Sequence, residues 1–156
     1  MRLLKVILPC VLLMGCGSAR QADQQEAPDS TLNDINNAIT ECRNTNPDEI
    51  AQAVVRAACM NKTIEPLCAM LQFPDLLKQE IIMRKSLAEQ VQARKISLID
   101  RVQQMTELHS KMLKEEQSRV QANPSVPAQE TPAAALWRGS NPASCAKLGG
   151  NTPYCY

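Results

Sequence analysis

Residues 76–120 read LLKQEIIMRKSLAEQVQARKISLIDRVQQMTELHSKMLKEEQSRV, and this stretch decides the fold. It holds no Pro and no Gly, and its Leu, Gln, Lys, Glu, Arg and Met are good helix formers. Val91, Leu98, Val102, Met105, His109 and Met112 recur at steps of three, four and seven, which gives an apolar seam with coiled-coil spacing. Lys95 falls on the same seam, and Ile96, Ile99, Leu108 and Leu113 widen it. Glu80/Arg84, Lys85/Glu89, Glu107/Lys111 and Glu115/Arg119 are opposite charges four residues apart, each worth about 0.2–0.5 kcal/mol to a helix. The pattern predicts one continuous helix over about 75–121, roughly 65–70 Å long. Short neighbours cannot cover so long a stripe. Its far half is expected to meet a partner or a second copy of the chain, a homo-oligomer built on Val91, Leu98, Val102, Met105 and Met112.

Working toward the N-terminus, three shorter helices are expected at about 30–43, 47–60 and 63–72. Asp29-Ser30-Thr31 is a cluster of N-cap residues ahead of Leu32, Ile35, Ile39 and Cys42, which share one helical face. Asn46-Pro47-Asp48-Glu49 reads as a restart, with Asn as cap, Pro at the first helical position and two carboxylates at the positive end of the dipole. Ile50, Val54, Val55, Ala58 and Cys59 form the next apolar face, and Leu67, Cys68 and Leu71 the third. Aromatic residues make up only 3% of the chain, so the core must be built from Ala, Val, Leu, Ile and Met, which suits an all-α fold.

The first residues carry an address. Arg2 and Lys5 precede an apolar run from Val6 to Met14, too short to span a bilayer, that closes on Leu13-Met14-Gly15-Cys16. Those four residues resemble the lipobox of bacterial lipoproteins. The resemblance covers about the first eighteen residues, and Met14 is bulkier than the pattern's usual residue. It implies a signal peptide over 1–15, cleavage before Cys16, and lipidation of Cys16, so that the membrane is reached through an N-terminal lipid. Gly17-Ser18-Ala19 offers a rival cleavage site that would leave Cys16 with the discarded signal. In that family an Asp after the cysteine marks retention at the inner membrane. Gly17 and Ser18 stand here instead, which implies the outer membrane. Residues 16–28, rich in Gln, Ala and Asp, are expected to form a flexible tether.

Export takes the cysteines into an oxidising compartment. Of the seven, Cys10 leaves with the signal and Cys16 takes the lipid. Among the five that remain, Cys145 and Cys155 are expected to close a small loop. Cys59 with Cys68 is the favoured second pair, and Cys42 with Cys68 the runner-up. Cys42 and Cys59 are set about 15–20 Å apart in level by the expected hairpin, which makes Cys42 the spare or intermolecular thiol.

Toward the other end, 122–136 is a Pro/Ala-rich linker expected to be extended, and 137–156 a Cys-bracketed loop around Gly149-Gly150-Asn151. All of the Trp and Tyr of the chain, Trp137, Tyr154 and Tyr156, fall in this last segment. Rigidly held aromatics are common interface anchors, so Trp137, Arg138, Asn151, Tyr154 and Tyr156 are candidate binding residues. The alternative is a packing cap on the helices.

With 17 basic and 16 acidic residues the chain has no long-range pull on nucleic acid. Cysteine spacings of sixteen and eight residues and a single histidine do not fit a zinc site, so neither metal nor cofactor is expected. His109 is read as a half-exposed helical residue, with a pH-sensitive interface position as the alternative. No phosphate loop, nucleophile elbow or zincin motif is present, and the chain is not expected to be an enzyme. The expected function is a lipid-anchored envelope protein acting through protein–protein contact. It would serve as a component of an envelope assembly such as a secretion or conjugation apparatus. The alternatives are a peptidoglycan-binding lipoprotein and a lysis or surface-exclusion factor.

Overall fold

A computed structural model describes residues 19–123, 125, 128 and 130–140. These residues are helical with no strand, in five α-helices: α1 Ala19–Thr45, α2 Ala53–Ile64, α3 Pro74–Gln92, α4 Leu98–Ala122 and α5 Pro132–Gly139. Two 3₁₀ segments, Ile50–Gln52 and Glu65–Met70, lead into α2 and out of it. α1 starts inside the stretch expected to be a tether, so residues 19–28 are helical.

The all-α expectation holds, but the single long helix does not. It is cut at residues 93–97 into α3 and α4, which pack on each other as an antiparallel hairpin. Asp75 near the start of α3 meets Arg119 near the end of α4 at 2.8 Å, and Arg119 also pairs with Glu115. The break is made by hydrogen bonds. Arg94 adopts φ 56°, its N–H donates to Val91 O, and the Lys95 N–H donates to Gln90 O. That is a Schellman cap, with an arginine where glycine is usual. Ser97 and Asp100 then open α4 with a capping box: each backbone N–H donates to the other's side chain, at 2.9 and 3.1 Å. The Ser97 bonds hold the Asp100 carboxyl below its ordinary range, so the cap stays ionised. A side chain in the left-handed region costs on the order of 1 kcal/mol that glycine avoids. Arg94→Gly is therefore expected to raise the unfolding free energy by an amount of that order, read as a higher urea midpoint. A lowered midpoint would mean that the turn is not built as described.

Folding back covers much of the apolar stripe within one chain, although Ile99 stays exposed. Val91, Met105, His109 and Met112 are buried, and Leu98 and Val102 are half-buried.

The main core gathers Leu32, Ile35, Ile39 and Cys42 of α1 with Met60 and Ile64 of α2, Leu76 and Leu77 of α3, Met112 of α4, and Leu136 and Trp137 of α5. A smaller cluster, Ala53, Ala57, Ala88 and Val91, fills the opposite end of the α2–α3 pair.

Two further boundaries move for stated reasons. Asn46 was expected to open a helix at Pro47. Its side-chain amide instead donates back to Cys42 O at 3.1 Å and closes α1, so α2 begins only at Ala53. Asp48, in that loop, accepts a two-pronged bond from Arg101 of α4 at 2.7 and 2.9 Å. The expected helix over 63–72 is divided between the end of α2 and a 3₁₀ segment.

The later start of α2 also changes the disulfide. Cys59 lies about 9 Å along α2 rather than the 18 Å implied by a start at Pro47, using about 1.5 Å per residue, which brings it level with Cys42. The structure joins Cys42 to Cys59, with Cα atoms 5.8 Å apart, in place of the expected Cys59–Cys68 pair. Among the described residues Cys68 has no disulfide partner, and Cys42 is not the spare thiol. Closing a 17-residue separation is worth about 3 kcal/mol in the chain-entropy model.

Candidate functional site

The part of the expected linker nearest the C-terminus is a helix. Thr131 caps α5 by accepting from the Ala134 N–H at 3.2 Å, and Pro132 takes the first helical position. The cap and the following alanines shape an eight-residue helix that lies against α1 and the Glu65–Met70 segment. Its inner face carries Ala133, Ala134, Leu136 and Trp137. Trp137 is 1% exposed, in the core rather than on a binding surface. Ser140 Oγ donates to Trp137 O and finishes the helix. Arg138 is bound to Glu116 of α4 through Nε and Nη2, at 2.9 and 2.8 Å. Both residues expected to recognise a ligand therefore hold α5 in place. The other candidates in this segment, Asn151, Tyr154 and Tyr156, and the pair Cys145 and Cys155 lie outside the described residues, as does Cys16.

Beneath α5 lies a layer of buried polar groups between the two apolar clusters. His109 and Glu80 are each 1% exposed, against the half-exposed position expected for His109. The spacing pairs Glu80 with Arg84 along one helix. Glu80 instead points inward to His109, with Oε1 2.7 Å from Nδ1. The other ring nitrogen, Nε2, lies 3.3 Å from Arg138 O. The Trp137 and His109 rings meet edge to face, with centroids 6.0 Å apart and planes at 79°. Next to this pair Arg84 Nη1 donates to Asn61 Oδ1 at 2.6 Å, and Asn61 Nδ2 donates to Ile81 O at 2.9 Å, tying α2 to α3.

Electrostatics in this layer pull in opposite directions. Burial pushes the His109 imidazole pKa down. The hydrogen bond and charge of Glu80, helped by the Arg138 carbonyl, push it up by more, against a smaller opposing push from Arg84. The net is a pKa above the ordinary 6.5. The Glu116 contact likewise raises the Arg138 guanidinium. Burial raises the Cys68 thiol pKa, the reverse of what an activated nucleophile needs.

Two recesses mark the outer surface. A groove of about 620 Å³ runs between α1 and α2 beside the disulfide, lined by Ile35, Ala38, Cys42, Cys59 and Lys62 among others. A second, of about 590 Å³, lies between α1 and α5 and is lined by Leu32, Asn36, Pro132 and Leu136. Ile82 and Ile99 are the most exposed large apolar side chains among the described residues, at 68% and 79%. Among the described residues no group of three or more His, Cys, Asp or Glu is placed to hold a metal ion, and no helix is long and apolar enough to cross a membrane.

No protein-family model, curated protein or solved structure matches the chain.

Sequence reasoning missed Glu80, Glu116 and Arg84 as interior groups. Each lies four residues from an opposite charge or on a charge-rich helix, so local spacing reads it as part of a solvated face. The start of α5 had a legible signal in Thr131-Pro132-Ala133-Ala134-Ala135, the same cap-then-proline pattern recognised at Asn46-Pro47.

Proposed function

We propose that this chain is a lipid-anchored protein of a bacterial envelope that works by contact with other proteins, as a structural or accessory component of an envelope assembly. The observation that carries the reading is the Cys42–Cys59 bridge between α1 and α2. Such a bridge persists in an oxidising compartment and is rare in the cytosol. It supports the export address read in Leu13-Met14-Gly15-Cys16, and the lipid on Cys16 supplies the anchor. The interior supports a contact role as well. His109, Glu80, Arg84 and Glu116 are engaged with one another or with neighbouring helices. Work on a partner is then left to the outer helix faces and to the segment that follows Ser140.

Two measurements test the parts separately. Cys16→Ser is expected to move the protein from the membrane to the soluble fraction, and full retention after a high-salt wash would remove the lipid anchor from the reading. A photo-crosslinking residue at position 82 or 99, in intact cells, is expected to join the chain to other envelope proteins. Adducts of the chain with itself alone would remove the assembly role.

A further inference from the structure

His109 sits where a neutral imidazole cannot satisfy both of its neighbours. Nδ1 faces the Glu80 carboxyl at 2.7 Å and Nε2 faces the Arg138 carbonyl at 3.3 Å. A carbonyl oxygen only accepts, and so does an ionised carboxylate, whereas a neutral imidazole carries a single N–H. The His109–Glu80 pair must therefore hold two protons to serve both contacts. One arrangement is imidazolium with carboxylate. The other is a neutral ring protonated on Nε2, with a carboxylic acid donating to Nδ1. The proton count is the same. Removing one proton leaves one contact with lone pairs on both sides and no hydrogen between them.

The two contacts are unequal. Glu80 is the shorter and the charged partner, and it stands on α3, a 19-residue helix packed against both α2 and α4. Arg138 O is the longer contact, on an eight-residue helix. A helix of that length does not persist without its docking surface. With one proton left, the Nδ1–Glu80 bond keeps it and the Arg138 carbonyl loses the hydrogen bond from His109.

We infer that His109 and Glu80 form a proton-operated latch on α5: with two protons the pair holds the helix tightly against the bundle, and with one it loosens α5 and the Trp137 ring that it carries. The charged groups around the ring support the direction. From α3 they are Glu80, which favours the imidazolium, and Arg84, which opposes it. α5 contributes the Arg138 carbonyl, while the Arg138 guanidinium is turned to Glu116, which shares α4 with His109 itself. A histidine whose folded pKa is raised contributes stability that is complete below its unfolded value. That contribution is lost as the pH climbs through the folded value. The latch is thus closed in acid and opens above about 6.5.

The chain reports on the event itself, because Trp137 is its one tryptophan and His109 its one histidine. In the full-length protein, indole emission is expected to be that of a buried ring at the acid end and to shift red as the pH rises. The midpoint should lie above 6.5, with little change in far-UV ellipticity. In Glu80→Gln the amide N–H donates to Nδ1 and leaves the Nε2–H for Arg138 O, so a neutral ring satisfies both contacts. That variant is expected to keep its buried emission over the same range. The inference is overturned if the wild-type emission does not move, or if Glu80→Gln shifts with the wild-type midpoint. Loss of far more ellipticity than the eight residues of α5 can account for, in step with the emission change, would overturn it as well, since the event would then be global unfolding. If the variant does not fold, the wild type still decides. The pKa of His109 from its ring-proton NMR signal must coincide with the emission midpoint, and separate midpoints overturn the latch.

Discussion

Trp137→Ala is expected to cost about 3–5 kcal/mol of folding stability, the range for removing a buried large aromatic. The side chain is 1% exposed and joins α5 to the α1, α2, α3 and α4 contributions to the main core. Alanine there would leave a cavity where α5 crosses the bundle, and the ring would no longer meet the His109 edge. Domains of this kind have about 5–15 kcal/mol in total, so the loss should lower the melting temperature by on the order of 10 °C. Urea unfolding followed by far-UV circular dichroism measures it without relying on the missing indole. The two readings of this residue separate cleanly. An aromatic displayed on a recognition loop would change stability by no more than about 0.5 kcal/mol. A loss that small would return Trp137 to the surface.

His109→Leu is expected to be comparably severe, about 3–5 kcal/mol near neutral pH, for an electrostatic reason. Removing one partner of a buried pair leaves the other charged and without compensation, and Glu80, 1% exposed, has no water to turn to. Glu80→Leu alone should be costly in the same way. The double replacement, His109→Leu with Glu80→Leu, should recover most of the loss, because apolar groups of similar volume can replace a buried pair at little net cost. A thermodynamic cycle over the four proteins should therefore give a coupling of a few kcal/mol, well above that of distant sites. If the two single losses simply add, the pair does not act as a unit and the polar layer is held by something else.

Composition and periodicity carried the class of the fold and most of its inward faces. Leu32, Ile35, Ile39 and Cys42 were read on one face of a helix, and all four are in the core. The helix expected from about residue 75 begins there, with α3 starting at Pro74. The α3–α4 turn was hidden because its residue in the left-handed region is Arg94, and a helix end without Gly or Pro leaves little trace in a propensity reading. The restart was written in Ser97-Leu98-Ile99-Asp100, but a capping box in mid-pattern competes with an apolar stripe that continues on both sides. The disulfide followed from the same kind of error. Placing Cys59 a helix length from Cys42 required α2 to start at Pro47, and Asn46 prevents that by capping α1 with its own side chain. For the polar layer the obstacle is different. Glu80 with Arg84 looks like any exposed pair four residues apart. Only the approach of α4 and α5, residues far along the chain, turns Glu80 inward and gives it His109.

The order in which the helices meet has a consequence for how the chain acquires its shape. α1 packs on α2, α2 on α3 and α3 on α4, each on the next along the sequence, and α5 reaches back to α1. Contacts between sequence neighbours have short loops to close, and a topology dominated by them folds fast. A chain delivered N-terminus first can therefore assemble helix by helix, each new element finding its surface already formed behind it. α5 comes last, and its docking brings the two ends of the bundle together.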